Sequence, residues 1–180
     1  SRILRAKFTI GLFEHPYPNV AGLQTDIHTT QSVQLSLDIA RESIVLLKNE
    51  NHLLPLKENI KSIAVIGPNA DHVQFGDYSW TNDNKYGITP LQGIQAIVRD
   101  RIKINHALGC DTWSQDKGGF AAAIDAVTKS DVAVLFVGSS SASPGYPHPN
   151  ATSGEGYDLT DLKLPGVQED LIKAVKQTGK

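Results

Sequence analysis

The sequence predicts an α/β fold, a mostly parallel sheet sandwiched by helices. Two observations carry this. "SIAVIG" at 62–67 and "DVAVLFVG" at 131–138 are short β-branched runs, apolar throughout rather than alternating, as strands covered on both faces are. Around them lie segments with apolar residues three or four apart, the spacing of one helix face. Strands that alternate with helices build parallel sheets with helices against both sides.

The elements follow in order. "RILRAKF" reads as a short amphipathic helix. "GLFEHPYPNVAG" is broken by Pro16, Pro18 and two glycines, and has too little apolar periodicity to fold on itself. This stretch is expected to pack on something outside the chain. "TQSVQLSLDIARES" predicts a helix with Val33, Leu37, Ala40 and Ile44 on one side. "IVLLKN" reads as a strand and "NHLLPLKENI" as a connector. After the strand at 62–67, "TPLQGIQAIV" predicts a helix with Pro90 in its first turn. "IKINHA" alternates as a strand does. "GGFAAAIDAVTKS" predicts a helix with Phe120, Ile124 and Val127 inward. "DVAVLFVG" is the clearest buried strand. "LPGVQEDLIKAVKQTG" closes the chain as a helix with Pro165 near its start, an apolar stripe of Val167, Leu171, Ala174 and Val175, and Gly179 at its C-cap. This architecture calls for a strand after that helix, so both ends are expected to be cut or to lie at domain seams.

Composition narrows the function classes. The 180 residues suit about one domain, and 40% hydrophobic with 20% charged is ordinary for a globular chain. Seventeen Lys and Arg against nineteen Asp and Glu leave a net charge of -2, which gives no reason to expect nucleic acid or an anionic membrane as partner. No apolar run approaches the ~20 residues of a membrane span. The N-terminus lacks the apolar core and small-residue cleavage site of a signal peptide. The single Cys110 rules out an internal disulfide and reads as a small buried thiol. The six histidines are scattered, so no metal site is expected. "VIGPNAD" lacks the glycines of a phosphate-binding loop, and no cofactor is expected.

In open α/β sheets the functional loops lie beyond the carboxyl ends of the strands. Two long loops meet that rule, Pro68 to Thr89 and Ser139 to Leu164. The first sets Tyr78, Trp80 and Tyr86 among small and polar residues. Such aromatics can stack on a sugar ring, or they can simply cover the sheet edge. The second is rich in Ser, Pro and Gly and holds Glu155, Asp158 and Asp161. Asp161 suits the positive N-terminal end of the last helix. Glu155 lies too far upstream to gain from that dipole. It stands between Gly154 and Gly156, in a loop that can swing an acid into a neighbouring cavity or merely turn.

Taken together, "ILRAKFTIGLFEHPY", "ARESIVLLKNENHLLPL", "IAVIGPNAD", "GDYS", "GITPLQGI", "GC" at 109–110, "DVAVLFVG" and "SGEGYDLTDLKLPGVQEDLI" resemble glycoside hydrolase family 3, the β-glucosidase and β-xylosidase family, in the family's own order and over nearly the whole chain. The resemblance implies a TIM-like barrel domain that supplies an aspartate nucleophile, followed by an α/β sandwich that lends the acid/base. Residues 1–30 would be the barrel's tail and a linker, and 31–180 the sandwich, truncated at its C-terminus. The resemblance implies that Glu155 is the acid/base, with Asp158 a loop anchor through backbone N–H groups, and that Tyr78 and Trp80 lie near the leaving-group sugar. Leu159 departs from the arginine that many members carry there. The parent would be an exo-acting retaining β-glycosidase, a β-glucosidase before a β-xylosidase, acting on terminal sugars of plant-type β-linked oligosaccharides in the periplasm or outside the cell. The segment alone, without the nucleophile, is expected to be inactive. A different class of reading is a non-catalytic α/β module that binds carbohydrate or supports a barrel.

Overall fold

The computed structural model describes residues 1–79, 81, 83–141 and 150–180. The chain divides into two units, Ser1–Leu54 and Pro55–Lys180.

The first unit is helical. Helix α1 spans Arg2–Thr9, and the Ser1 hydroxyl accepts the Leu4 N–H. A short helix α2, Leu23–Asp26, follows a 3-10 turn. Helix α3 covers Thr30–Ser43, with the Thr29 side chain accepting from Ser32 N–H at 3.1 Å. No described residue of this unit is buried. The expected inward stripe of α3 is open to solvent, Val33 and Leu37 included. Residues 44–49 form no strand, contrary to the expectation for "IVLLKN", and Leu47 is 92% exposed. A strand exists only where a neighbour receives its backbone hydrogen bonds, and the described residues of this unit include no strand.

The second unit is the α/β layer structure. Strands β1 (Ser62–Ile66), β2 (Lys103–Ala107) and β3 (Val132–Leu135) form a parallel sheet in the order β2-β1-β3. Helix α4, Pro90–Val98, connects β1 to β2, and α5, Phe120–Thr128, connects β2 to β3. Helix α6 spans Gln168–Lys176. Alternation along β1 divides its side chains between two cores. Ile63 and Val65 meet Ala70 and Leu91 on the α4 side. Ala64 and Ile66 meet Ala123, Val127, Leu171 and Val175 of α5 and α6 on the other. Removing a fully buried side chain such as Ile66 or Leu171 from water is worth about 1.5–3 kcal/mol. The most deeply buried strand is β1, not the expected β3, whose four residues are all half-buried. Central β1 has a neighbour on each side, whereas β3 has only β1 among the described strands.

Each end of β1 has a physical reason to stop where it does. At the amino end of β1, Asp131 Oδ2 accepts from Lys61 N–H (2.8 Å), Ser62 N–H (2.9 Å) and the Ser62 hydroxyl (3.1 Å). At the carboxyl end, Gly67 (φ +116°) lies so close to the Phe136 carbonyl that any side chain would collide with it. Helix α4 begins with a capping box, in which the Thr89 hydroxyl accepts Gln92 N–H and Gln92 Oε1 accepts Thr89 N–H, with Pro90 at the first helical position. Helix α6 starts at Gln168, three residues after Pro165, so Asp161 is too far upstream to serve its dipole. It accepts the Lys163 N–H instead, and Glu169 and Asp170 fill the first turn. Cys110 is buried as expected, and burial first, then Asp111, pushes its thiol up to about 11.

The three donors on Asp131 hold its carboxyl below the usual carboxylate range. A depressed folded value gives stability that is complete above the unfolded value of about 4 and is lost as pH falls through the folded one. Asp131→Ala should therefore lower the urea midpoint at neutral pH, and the difference from the parent should shrink below about pH 4. A difference that stays constant down to acid denaturation would refute this role. Gln168, fully buried, bonds Gly138 on both its N–H and its carbonyl and also reaches Thr112 and Pro165. Gln168→Ala strands these groups and should cost about 2–4 kcal/mol in urea unfolding. An unchanged midpoint would mean that water replaces the amide there.

Candidate functional site

The chain leaves β1 toward β2 on one side and returns to place β3 on the other. The carboxyl ends of β1 and β3 therefore form the switch point of the sheet, where ligands enter open α/β folds. Both long loops start there, and each is fixed by its own polar side chains. In the first, Asn84 works as a crosspiece, with Oδ1 accepting Val73 N–H (3.0 Å) and facing His72 Nδ1, and Nδ2 donating to the Asp71 carbonyl (2.9 Å). The Thr89 hydroxyl donates to Asp71 Oδ1 at 2.8 Å, closing the loop onto α4. The second loop returns to its own root. Ser140 N–H donates to the Thr152 hydroxyl (2.8 Å), Thr152 N–H donates to the Ser140 carbonyl (2.9 Å), and Ser141 and Ser153 form a parallel bridge. Beyond that closure the chain turns at once, with Gly154 at φ +109° and Tyr157 N–H donating to the Gly154 carbonyl.

The two loops meet at Glu155. Its backbone N–H donates to Asp77 Oδ2 at 3.1 Å. Its carboxylate accepts a short hydrogen bond from the Tyr78 hydroxyl. Gly154 lies against the Asp77 carboxyl, where a Cβ would come within 2.7 Å of Oδ1, so the position needs glycine for contact as well as for backbone angle. Tyr78 has φ +62°, a left-handed conformation unusual for a bulky side chain, just after Gly76 at +83°. That turn leaves Tyr78 72% exposed, with its hydroxyl on Glu155.

The hydrogen bond to Glu155 raises the Tyr78 phenol above its ordinary value, and the negative charge of Glu155 adds to this. The phenol therefore stays a donor at neutral pH. Asp77 Oδ1 is buried and has no hydrogen-bond partner among the described residues. Chemically, the arrangement offers one exposed carboxyl group on a glycine-flanked turn, held at backbone and side chain. It can give or take a proton.

The structure thus brings Glu155 and Tyr78 together. Trp80 lies outside the described residues. Asp158 is exposed and accepts no hydrogen bond among the described residues, and the loop is held by Asp77 instead. Two residues escaped the sequence reading. Asp77 sits inside the quoted "GDYS", and a carboxylate beside glycine in the other long loop was its only signal. Gln168 lies three residues before Leu171, on the same face of α6 as the apolar stripe, and a polar residue on a buried stripe was the sign to follow.

A family model described as glycosyl hydrolase family 3 C-terminal domain matches residues 44–180. The chain is similar to a β-xylosidase of Formosa agariphila, 41% identical over 187 residues that cover all of this chain and 25% of that protein. It is also similar to a periplasmic β-glucosidase of Salmonella typhimurium, 33% identical over 206 residues, with 99% of this chain and 26% of that one covered. Among solved structures, a β-glucosidase from Erythrobacter marinus matches with a TM-score of 0.80 at 28% identity, over 99% of this chain and 26% of that chain. The chain spans about a quarter of the length of these relatives. The parallel sheet, its flanking helices and the match over residues 44–180 agree, and the chain belongs to glycosyl hydrolase family 3, as its C-terminal domain.

Proposed function

We propose that this chain is part of an exo-acting retaining β-glycosidase and supplies its acid/base, Glu155, to a sugar held mainly by a barrel domain of the same polypeptide. Residues 1–30 would then be the tail of that barrel and a linker. The observation that carries this reading is the double hold on Glu155 by Asp77 and Tyr78 at the switch point of the sheet. The names of the relatives, β-xylosidase and β-glucosidase, support a β-linked glycoside as substrate.

In a retaining mechanism one carboxyl group donates its proton to the leaving oxygen while a second carboxylate bonds to the anomeric carbon. The first group, now a carboxylate, then takes a proton from water as that water displaces the enzyme ester. Glu155 fits the first role. It is exposed, so it can reach a substrate, and the glycines on either side let its turn adopt angles closed to other residues. The nucleophile comes from the barrel. Tyr78 presents an open ring beside the acid, suited to the C–H face of the departing sugar. Trp80 is the second aromatic proposed for that sugar. The barrel sets whether glucose or xylose is preferred.

Replacing Glu155 by Ala in the full-length enzyme should cost about 10²–10⁴-fold on substrates with a sugar leaving group. A nitrophenyl glycoside, whose leaving group needs no proton, should still form the covalent intermediate and show a burst. Azide should fit the vacated space and restore turnover as the β-glycosyl azide. Asp158→Ala should show none of this. Should Asp158→Ala show the pattern instead, the roles are reversed, and should neither variant show it, the chain is a non-catalytic module. A second test needs only this chain. Phenolate absorbance on alkaline titration should contain a component from Tyr78 above the usual value of about 10. That component should vanish in Tyr78→Phe and move down toward the ordinary range in Glu155→Ala. A titration that is the same in Glu155→Ala would show that the two groups do not meet in solution.

A further inference from the structure

The Asp77 side chain does two things at once. Through Oδ2 it accepts the N–H of Glu155, and its carboxyl is the surface on which Gly154 rests. This fixes the backbone from which the Glu155 side chain extends, whereas Tyr78 holds only the end of that side chain. The arrangement is built at a cost. No group among the described residues donates to the buried Asp77 Oδ1, and Tyr78, the next residue, has a left-handed backbone. A loop selected for stability alone would satisfy that oxygen and relax that turn. Unfavourable features persist where their surroundings over-determine them, and they gather at sites of function. Here the surroundings are the Asn84 crosspiece, the Thr89–Asp71 contact and the Ser140–Thr152 closure, which pin both loops on either side of the meeting point.

We propose that Asp77 is the positioning residue for proton transfer by Glu155, acting through the Glu155 N–H and through Gly154, whose missing side chain makes the contact possible. The inference rests on the reading of Glu155 as the acid/base. Proton transfer demands that the donor oxygen lie within hydrogen-bond reach of the leaving oxygen, and a displacement of about 1 Å can cost 10²-fold. A loose Glu155 backbone would therefore harm substrates that need the proton and spare those that do not. Removing Asp77 loosens Glu155 but does not delete its side chain, so no space is vacated for azide.

The test is a leaving-group series on the full-length enzyme, from nitrophenol to a sugar. Asp77→Ala should lower kcat/KM about 10- to 100-fold for sugar leaving groups and less than about 3-fold for nitrophenyl glycosides, with no azide rescue. Asp77→Asn, which keeps an oxygen to accept the N–H, should recover most of the loss. Gly154→Ala should reproduce the leaving-group dependence with Asp77 intact, because its methyl displaces the turn from the carboxyl. If Asp77→Ala does not fold, Gly154→Ala and Asp77→Asn decide the matter. An equal loss for every leaving group, an Asp77→Asn as poor as Asp77→Ala, or no loss at all overturns the proposal. Glu155→Ala measured alongside separates the two readings. If it shows the leaving-group dependence while Asp77→Ala does not, this inference alone falls. If it shows none, the acid/base reading falls and takes this one with it.

Discussion

One buried amide, that of Gln168, ties together the end of the sheet from which the functional loops leave. Its oxygen accepts the Gly138 N–H, and its nitrogen donates to the carbonyls of Thr112, Gly138 and Pro165. These groups belong to the segments after β2 and β3 and to the one before α6. Each has left regular structure and has no ladder to bond to. An amide is the side chain that both accepts and donates, and glutamine is the longer of the two that carry one. Gly138 is also where the second loop starts. Two residues later Ser140 pairs with Thr152, and two residues after that comes Gly154. The position of Glu155 is thus referred back, through five short steps, to a side chain in the core.

The sheet was legible because its signal is local. A β-branched run such as "SIAVI", bounded by Gly67 and Pro68, has few alternatives to a buried strand. The same rule misfired at "IVLLKN". Apolar composition reports that a segment seeks cover, and it does not report what geometry the cover imposes. Ile44, Val45, Leu46 and Leu47 are all exposed in their own unit, as is the apolar stripe of α3. The rank order of β1 and β3 was also out of reach, because burial depends on how many neighbours a strand has, which no strand's own sequence records.

The site was legible in part and for a different reason. Glu155 stood out because two glycines isolate it, whereas Tyr78 was one of three loop aromatics that could equally have covered the sheet edge, and the family resemblance singled it out with Trp80. Their hydrogen bond links positions 77 residues apart and follows from the parallel topology, which sets the ends of β1 and β3 side by side. Asp77 and Asp158 were indistinguishable in one dimension, each a carboxylate near a glycine and a tyrosine. Only the fold places Asp77 under the Glu155 N–H and leaves Asp158 in solvent.

The Ser140–Thr152 pairing has an evolutionary consequence. It ties two positions twelve residues apart to one another through backbone and hydroxyl. The entropy of closing a loop changes only logarithmically with its length, about 0.6 kcal/mol per doubling. The pairing, rather than the number of residues between its ends, therefore fixes where Gly154 begins. Related chains are free to vary in length there without moving Glu155.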